Sequence, residues 1–328
     1  MHLKNYQKTS SKVWTGRIDD PLDLDSYRMH QIIKPIDLTT IDSFKIERFS
    51  ICFLGFCCDE GILRNLGRPG AKKGPEYIRK EFANLPVTFG DKLSIYDAGD
   101  IHCVENDLED AQYQLGIAVK TLLALKLFPI LLGGGHEIVL GHFYGINKHL
   151  KTSNEKLGII NFDAHLDLRP YNEGGSSGTM FAQIADICNN QNHNLSYLCV
   201  GAQTYSNTIS LFKRADFLGA KYILAKNLIP ENTKENYSII NEFITANDHI
   251  YVTLDCDVFS SAFAPGVSAM QPFGLDPETV LTLLKQILKS GKVISFDVAE
   301  VSPRFDQDNH TAKLIAVIIY ALINTLVD

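Results

Sequence analysis

Short apolar runs recur from about residue 50 to the end of the chain: SICFLGF (50–56), LSIYDA (93–98), FPILLG (128–133), LGIINF (157–162), SYLCVG (196–201), KYIL (221–224), HIYVTL (249–254) and KVISF (292–296). None alternates cleanly between apolar and polar positions, as expected of strands covered on both faces. Amphipathic stretches of helix length lie between them, for example 75–84, 108–127, 205–218, 276–290 and 310–327. These can supply the crossovers that parallel strands need. The pattern predicts an α/β fold with a mainly parallel sheet of about eight strands. Residues 1–45 carry two prolines and little periodicity. They are expected to form an arm over the core or at a subunit contact, with 46–328 a single catalytic domain uninterrupted by a Pro/Ser-rich linker.

Composition narrows the function classes. A chain of 328 residues with 45% hydrophobic content can bury a large core. The net charge is −7, and the basic residues are dispersed without interleaved aromatics, which predicts no nucleic-acid footprint. The N-terminal MHLKNYQKTSSK has no apolar run of the secretory type. The longest apolar stretch, LIAVIIYALINTLV (314–327), falls short of the roughly 20 residues that cross a bilayer and reads as a buried C-terminal helix. No membrane partner is expected, and the cytoplasm is the expected location. Seven cysteines, an odd number mostly inside apolar runs, read as reduced core residues. Cys256, between two aspartates in LDCD, is expected to pack rather than ligate, because strand alternation points it away from its neighbours.

The chemistry lies where the predicted strands end. His136 follows a strand in LLGGGHE, Asp163, His165 and Asp167 follow another in NFDAHLD, and Asp255 and Asp257 follow a third in VTLDCDVF. In open parallel sheets the ligand site lies beyond the carboxyl ends of the strands, so these six residues are expected to converge. Any one motif has a bland reading: GGGH as a tight turn or phosphate loop, DCD as a cap or solvated turn. GGGHE also lacks the G-x-G-x-x-G order of a dinucleotide loop. Their joint occurrence points to a two-metal hydrolytic site. Four aspartates to two histidines favours a pair of Mn ions, since hard cations prefer carboxylate oxygen and Mn also accepts imidazole. A carboxylate such as Asp163 or Asp255 can bridge two metals, and a water between them becomes a hydroxide nucleophile near neutral pH, with Asp167 placed to hold its proton. Glu300, at the end of a further strand in SFDVAEVSPRFD, is either a surface salt-bridge residue or a carboxylate beside the metals suited to a cationic amidine or guanidine. His142, six residues after His136, reads as a helix-surface residue.

These motifs resemble those of the ureohydrolase (arginase/agmatinase) superfamily, nearly end to end. GGGHE, DAHLD, LDCD and AEVSPRFD carry the superfamily likeness. WTGRIDD (14–20), RMHQ (28–31), NLGRPGAKKGPEYIR (65–79), NFDAHLDLRP, SSGTMF (176–181), APGVSAM (264–270) and HTAKLIA (310–316) carry a likeness to its formimidoylglutamase branch. The resemblance implies a three-layer α/β/α sandwich around an eight-stranded parallel sheet. It also implies two Mn2+ ions on His136, Asp163, His165, Asp167, Asp255 and Asp257, with Asp163 and Asp255 bridging, and a homo-oligomer. The implied reaction is hydrolysis of N-formimidoyl-L-glutamate to L-glutamate and formamide by a metal-bridging hydroxide. In it Asp167 handles the proton, Glu300 pairs with the amidine, and Arg68 and Arg169 are candidates for the substrate carboxylates. Ser177 stands where arginase-like members carry a histidine, which speaks against arginine or agmatine as substrate. Met180 and Met270 stand where the branch usually has proline, near the expected pocket. The rival expectations are a guanidine hydrolase, which would release urea, and a metal-binding protein without turnover.

Overall fold

The computed structural model describes residues 3–10, 12–41, 48–151 and 155–327. In chain order the strands are β1 (Tyr6–Gln7), β2 (Lys34–Pro35), β3 (Ser50–Cys57), β4 (Ser94–His102), β5 (Phe128–Leu132), β6 (Leu157–Phe162), β7 (Tyr197–Ala202), β8 (Lys221–Leu224), β9 (His249–Asp255) and β10 (Val293–Ala299). The helices are α1 (Met29–Ile32), α2 (Glu60–Arg64), α3 (Gly74–Phe82), α4 (Leu108–Ala124), α5 (Ile138–Leu150), α6 (Met180–Asn190), α7 (Ile209–Leu218), α8 (Thr233–Thr245), α9 (Pro277–Leu288) and α10 (His310–Val327). All eight expected strands are present. Two further strands of two residues each, β1 and β2, bring the sheet to ten.

The sheet runs β1-β4-β3-β5-β10-β9-β6-β7-β8, with β2 also on β4. Every pairing is parallel except β1 with β4. Two apolar cores explain why the strands read as continuous apolar runs. Ile51 and Phe53 of β3 face one core, with Ile78 and Phe82 of α3, Ile240 of α8, Val280 of α9 and Ile315 of α10. Cys52, Leu54 and Phe56 face the other, with Leu115 of α4, Val139 of α5, Phe181 of α6 and Leu211 of α7. Successive side chains alternate between faces, and both faces are dry, so both need apolar residues. The result is the three-layer α/β/α sandwich.

Helix α10 is long and apolar enough, by length and composition, to cross a bilayer, yet it packs on α3 and α9 and buries eight of its residues. The N-terminal residues are tied to the sheet edge. Beyond β1 and β2, Trp14 is buried and donates its indole N–H to Asp97 Oδ2 at 2.7 Å, an oxygen also held by Arg79 Nε at 2.9 Å. The expected boundary at residue 45 lies outside the described residues. All seven cysteines are free, four buried and three half-buried. Cys256 is fully buried in the core, although it begins a 3-10 turn rather than continuing the strand as expected.

Candidate metal centre

Four consecutive strands, β5, β10, β9 and β6, deliver the predicted residues. Their carboxyl ends carry His136, Glu300, Asp255 with Asp257, and Asp163 with His165 and Asp167. The glycines before His136 let the loop after β5 lie against the end of β3. Gly135 N–H donates to Cys58 O at 2.9 Å, and a Cβ on Gly134 would come within 1.7 Å of that same oxygen. The Glu300 amide donates to Gly134 O at 2.8 Å, and the His136 amide donates to Glu300 Oε1 at 3.2 Å. Both Glu300 (φ +67°) and Asp167 (φ +47°) adopt the left-handed conformation, which side-chain-bearing residues avoid outside special positions.

Two clusters result. Nδ1 of His136 lies 3.2 Å from Asp163 Oδ2, 3.0 Å from Asp167 Oδ2 and 3.2 Å from Asp255 Oδ2. Nδ1 of His165 lies 3.4 Å from Asp163 Oδ1 and 3.0 Å from Asp257 Oδ2. Asp163 therefore reaches both clusters, one oxygen to each. Asp255 offers Oδ2 to the His136 cluster, while its Oδ1 accepts the Asp257 amide at 2.8 Å. The loop between Asp163 and Asp167 is held from below by Asn207, which accepts from Leu166 N–H and donates to Ala164 O, both at 2.9 Å.

The electrostatics are those of a site that wants cations. Burial opposes the positive form of His136, but Asp255, Asp163 and Asp167 around it push its pKa well up; Asp257 and Asp163 do the same for His165. Burial and the neighbouring Asp257 and Asp163 raise Asp255 well above the carboxylate range, and Asp257 is pushed up to about 6, chiefly by burial. Burial also works on Asp163, but its hydrogen bonds to both histidines hold it far below its usual value. Burial, then Glu137 and Asp257, raise Glu300, whose Oε2 is buried with no hydrogen-bond partner. Crowded carboxylates around two imidazoles, with a further oxygen left unpaired, fit a pair of hard cations in donor type and number.

The chain matches the arginase family model over residues 49–324. It is 54% identical over 326 residues to a formimidoylglutamase of Clostridium tetani (strain Massachusetts / E88), covering 98% of this chain and 96% of that one. The chain belongs to the arginase family. A Geobacillus formimidoylglutamase is 43% identical over 95% of this chain and 94% of its own. Among solved structures, the Bacillus subtilis formimidoylglutamase superposes with a TM-score of 0.80 at 21% identity, covering 96% of each chain. A Trypanosoma cruzi formiminoglutamase variant with two Mn2+ superposes with a TM-score of 0.75 at 24% identity, over 88% of this chain and 97% of that one. At those identities the two superpositions speak to the shared fold.

All six expected ligands lie together, and Glu300 is beside them. Four of them, His165, Asp167, Asp255 and Asp257, line a cavity of about 310 Å³ to which Arg68, Arg169, Ser177 and Glu300 also contribute, whereas His136 and Asp163 are buried and do not line it. Glu300 is buried, which removes its surface salt-bridge reading. The two arginines differ. Arg68 spends Nε and one terminal nitrogen on the carbonyls of Ser268 and Val267 and stacks over Phe305 at 4.1 Å. Arg169 is exposed, and among the described residues its guanidinium has no partner. One expectation needs correction. His142 is not on a helix surface: its exposure is 0%, because α5 packs against both α4 and the sheet, where His142 hydrogen-bonds Asp297 and Ser295 of β10. Met180 and Met270 adjoin the pocket in sequence but do not line it, Met180 being fully buried in the core and Met270 49% exposed.

Sequence reading missed Glu137 and Asp297. Glu137 is fully buried, with a pKa pushed up to about 7 chiefly by burial. Its neighbour His136 drew attention because histidine is a metal ligand, and nothing in a single chain tells a buried glutamate from a capping one.

Proposed function

We propose that this chain hydrolyses N-formimidoyl-L-glutamate to L-glutamate and formamide using two Mn2+ ions. The observation that carries the reading is the pair of imidazole–carboxylate clusters sharing Asp163, placed beside the unpartnered Oε2 of Glu300. The name of the relatives that match nearly end to end supports the substrate. His136, Asp163, Asp167 and Asp255 would hold one ion, and His165, Asp163, Asp257 and Asp255 the other. Such a pair, when bound, supplies a water that ionises near neutral pH and positive charge near the reacting carbon.

The remaining work falls to the chain. Water adds to the formimino carbon, the bond from that carbon to the glutamate nitrogen breaks, and a proton must reach the departing amine. Asp167, buried on the cavity wall with Oδ2 toward His136, is the residue to carry that proton. Glu300 directs Oε2 to the cationic amidine and orients it, with Ser177 on the same wall. Arg169, with a free fork of donors at the rim, suits a substrate carboxylate. Arg68 lines the same cavity and offers its remaining terminal nitrogen.

Free thiols throughout suit a reducing compartment, and we place the enzyme in the cytoplasm. We also expect a homo-oligomer, with residues 1–45 as an arm and 46–328 as the catalytic domain; exposed Leu22 and Leu24 in the arm suit a subunit contact. The test is to load purified protein with Mn2+, add N-formimidoyl-L-glutamate and follow products by proton NMR. Formamide and glutamate in equal amounts are expected. Urea from arginine or agmatine, with no formamide, would replace the reading with a guanidine hydrolase.

A further inference from the structure

Below the clusters, a line of buried polar groups runs from His136 into the sheet. His136 Nε2 lies 3.1 Å from Thr253 Oγ1, and that hydroxyl donates to Asp297 Oδ1 at 2.6 Å. Thr253 and Asp297 are register partners on β9 and β10, so the contact is fixed by strand pairing. Asp297 Oδ2 accepts from the Tyr251 hydroxyl and lies 2.6 Å from His142 Nδ1. His142 Nε2 lies 2.5 Å from Ser295 Oγ, and Ser295 donates to the carbonyl of Pro129 at 3.2 Å. Asp297, His142, Thr253, Tyr251 and Ser295 all have 0% exposure.

Ser295 Oγ sits between His142 Nε2 and the Pro129 carbonyl and holds the ring from its far side. His142 gives its Nδ1–H to the Asp297 carboxylate, which only accepts. The one proton of Thr253 is committed to Asp297. Its oxygen therefore accepts, and His136 must supply Nε2–H. That leaves Nδ1, the nitrogen facing Asp163, Asp167 and Asp255, as the atom free to bind a metal.

We infer that Asp297, acting through Thr253 and anchored by His142, is a positioning residue that fixes the tautomer and ring plane of His136 for metal binding. The inference rests on the two-metal reading above. Groups behind a metal-bound imidazole commonly change metal affinity by 10- to 100-fold when removed.

The test is Mn2+ binding to the metal-free full chain, measured by calorimetry and by the paramagnetic signal of free Mn2+, for wild type, Thr253→Val and Thr253→Ser. Valine keeps the shape and removes the acceptor; serine keeps the hydroxyl. Thr253→Val should weaken one of the two sites by about 10- to 100-fold and leave the other within about twofold, while Thr253→Ser restores both. Thr253→Cys, whose sulfur is a weak acceptor, carries the same expectation should valine, by leaving Asp297 short of a donor, prevent folding. Unchanged affinities in these variants, or equal weakening of both sites without serine rescue, would overturn the inference while leaving the enzyme's reaction intact. A wild-type chain that takes up no Mn2+ would overturn the two-metal reading and this inference with it.

Discussion

The Glu137 carboxylate accepts the amide hydrogen of Gly61 at 3.0 Å, across 76 residues of sequence. Gly61 in turn accepts from the Ser177 amide at 3.0 Å, so a side chain next to His136 holds in place the loop that brings Ser177 to the cavity. Gly61 has no room for a larger residue, since a Cβ there would lie 2.6 Å from the Glu137 carboxyl carbon. Replacing Glu137 by Ala leaves a buried N–H unpaired, which costs about 1–3 kcal/mol. Glu137→Ala is expected to lose that much stability in urea unfolding and to raise KM for formimidoylglutamate more than it lowers kcat. Wild-type stability and KM together would show that the contact is idle.

Asp167→Asn should reduce kcat by several orders of magnitude while leaving the circular dichroism and unfolding midpoint of the metal-free protein close to wild type. The substitution keeps the shape and an acceptor but removes the charge and the proton-accepting oxygen that face His136 at 3.0 Å. A variant that turns over near the wild-type rate would remove Asp167 from the mechanism.

Most of the architecture was legible in the chain because a sheet buried on both faces demands unbroken apolar runs, and each ligand motif directly follows one. Strands β1 and β2 were not, because two-residue edge strands carry no periodicity; they arise where Tyr6–Gln7 pairs with Ile101 and Asp100, and Lys34–Pro35 with Tyr96 and Asp97, all on β4. His142 was misplaced for a related reason. Six-residue spacing from His136 locates it on a helix but not on a face, and α5 is apolar on both the sheet side and the α4 side. Asp297 sits two residues into an ordinary-looking SFDVAE, and only strand register reveals that it lies opposite Thr253. Cys256 packs as expected, but through a turn that alternation could not foresee.

The two arginines should separate kinetically. Arg169 has no competing partner among the described residues, so Arg169→Ala should lose charge-assisted hydrogen bonds to a substrate carboxylate, about 1.5–3 kcal/mol, or roughly 10- to 100-fold in KM with little change in kcat. Arg68→Ala should raise KM too, but it also frees the Val267 and Ser268 carbonyls and the Phe305 ring, so stability should fall with it. An unchanged KM in either variant would withdraw that arginine from substrate binding.

Metal uptake should strengthen with pH because protons and cations compete for the same oxygens. Asp257 titrates at about 6 in the folded chain, chiefly through burial, whereas an unfolded aspartate titrates near 3.9. Between those values the folded metal-free chain holds a proton that the unfolded chain has released. By linkage, this group's contribution to metal-free stability is greatest below about pH 4 and is lost as pH rises toward 6. A bound ion replaces the proton, so the stabilisation that Mn2+ provides should grow over the same interval, reaching about 2.7 kcal/mol at a hundredfold excess over Kd. The measurement is the Mn2+-induced shift in Tm at pH 5 and pH 7.5, with calorimetry in two buffers of different ionisation enthalpy to count released protons. A larger shift at pH 7.5, with proton release between the two, is expected. Equal shifts with no proton release would mean that the ions bind elsewhere than at Asp257 and its neighbours.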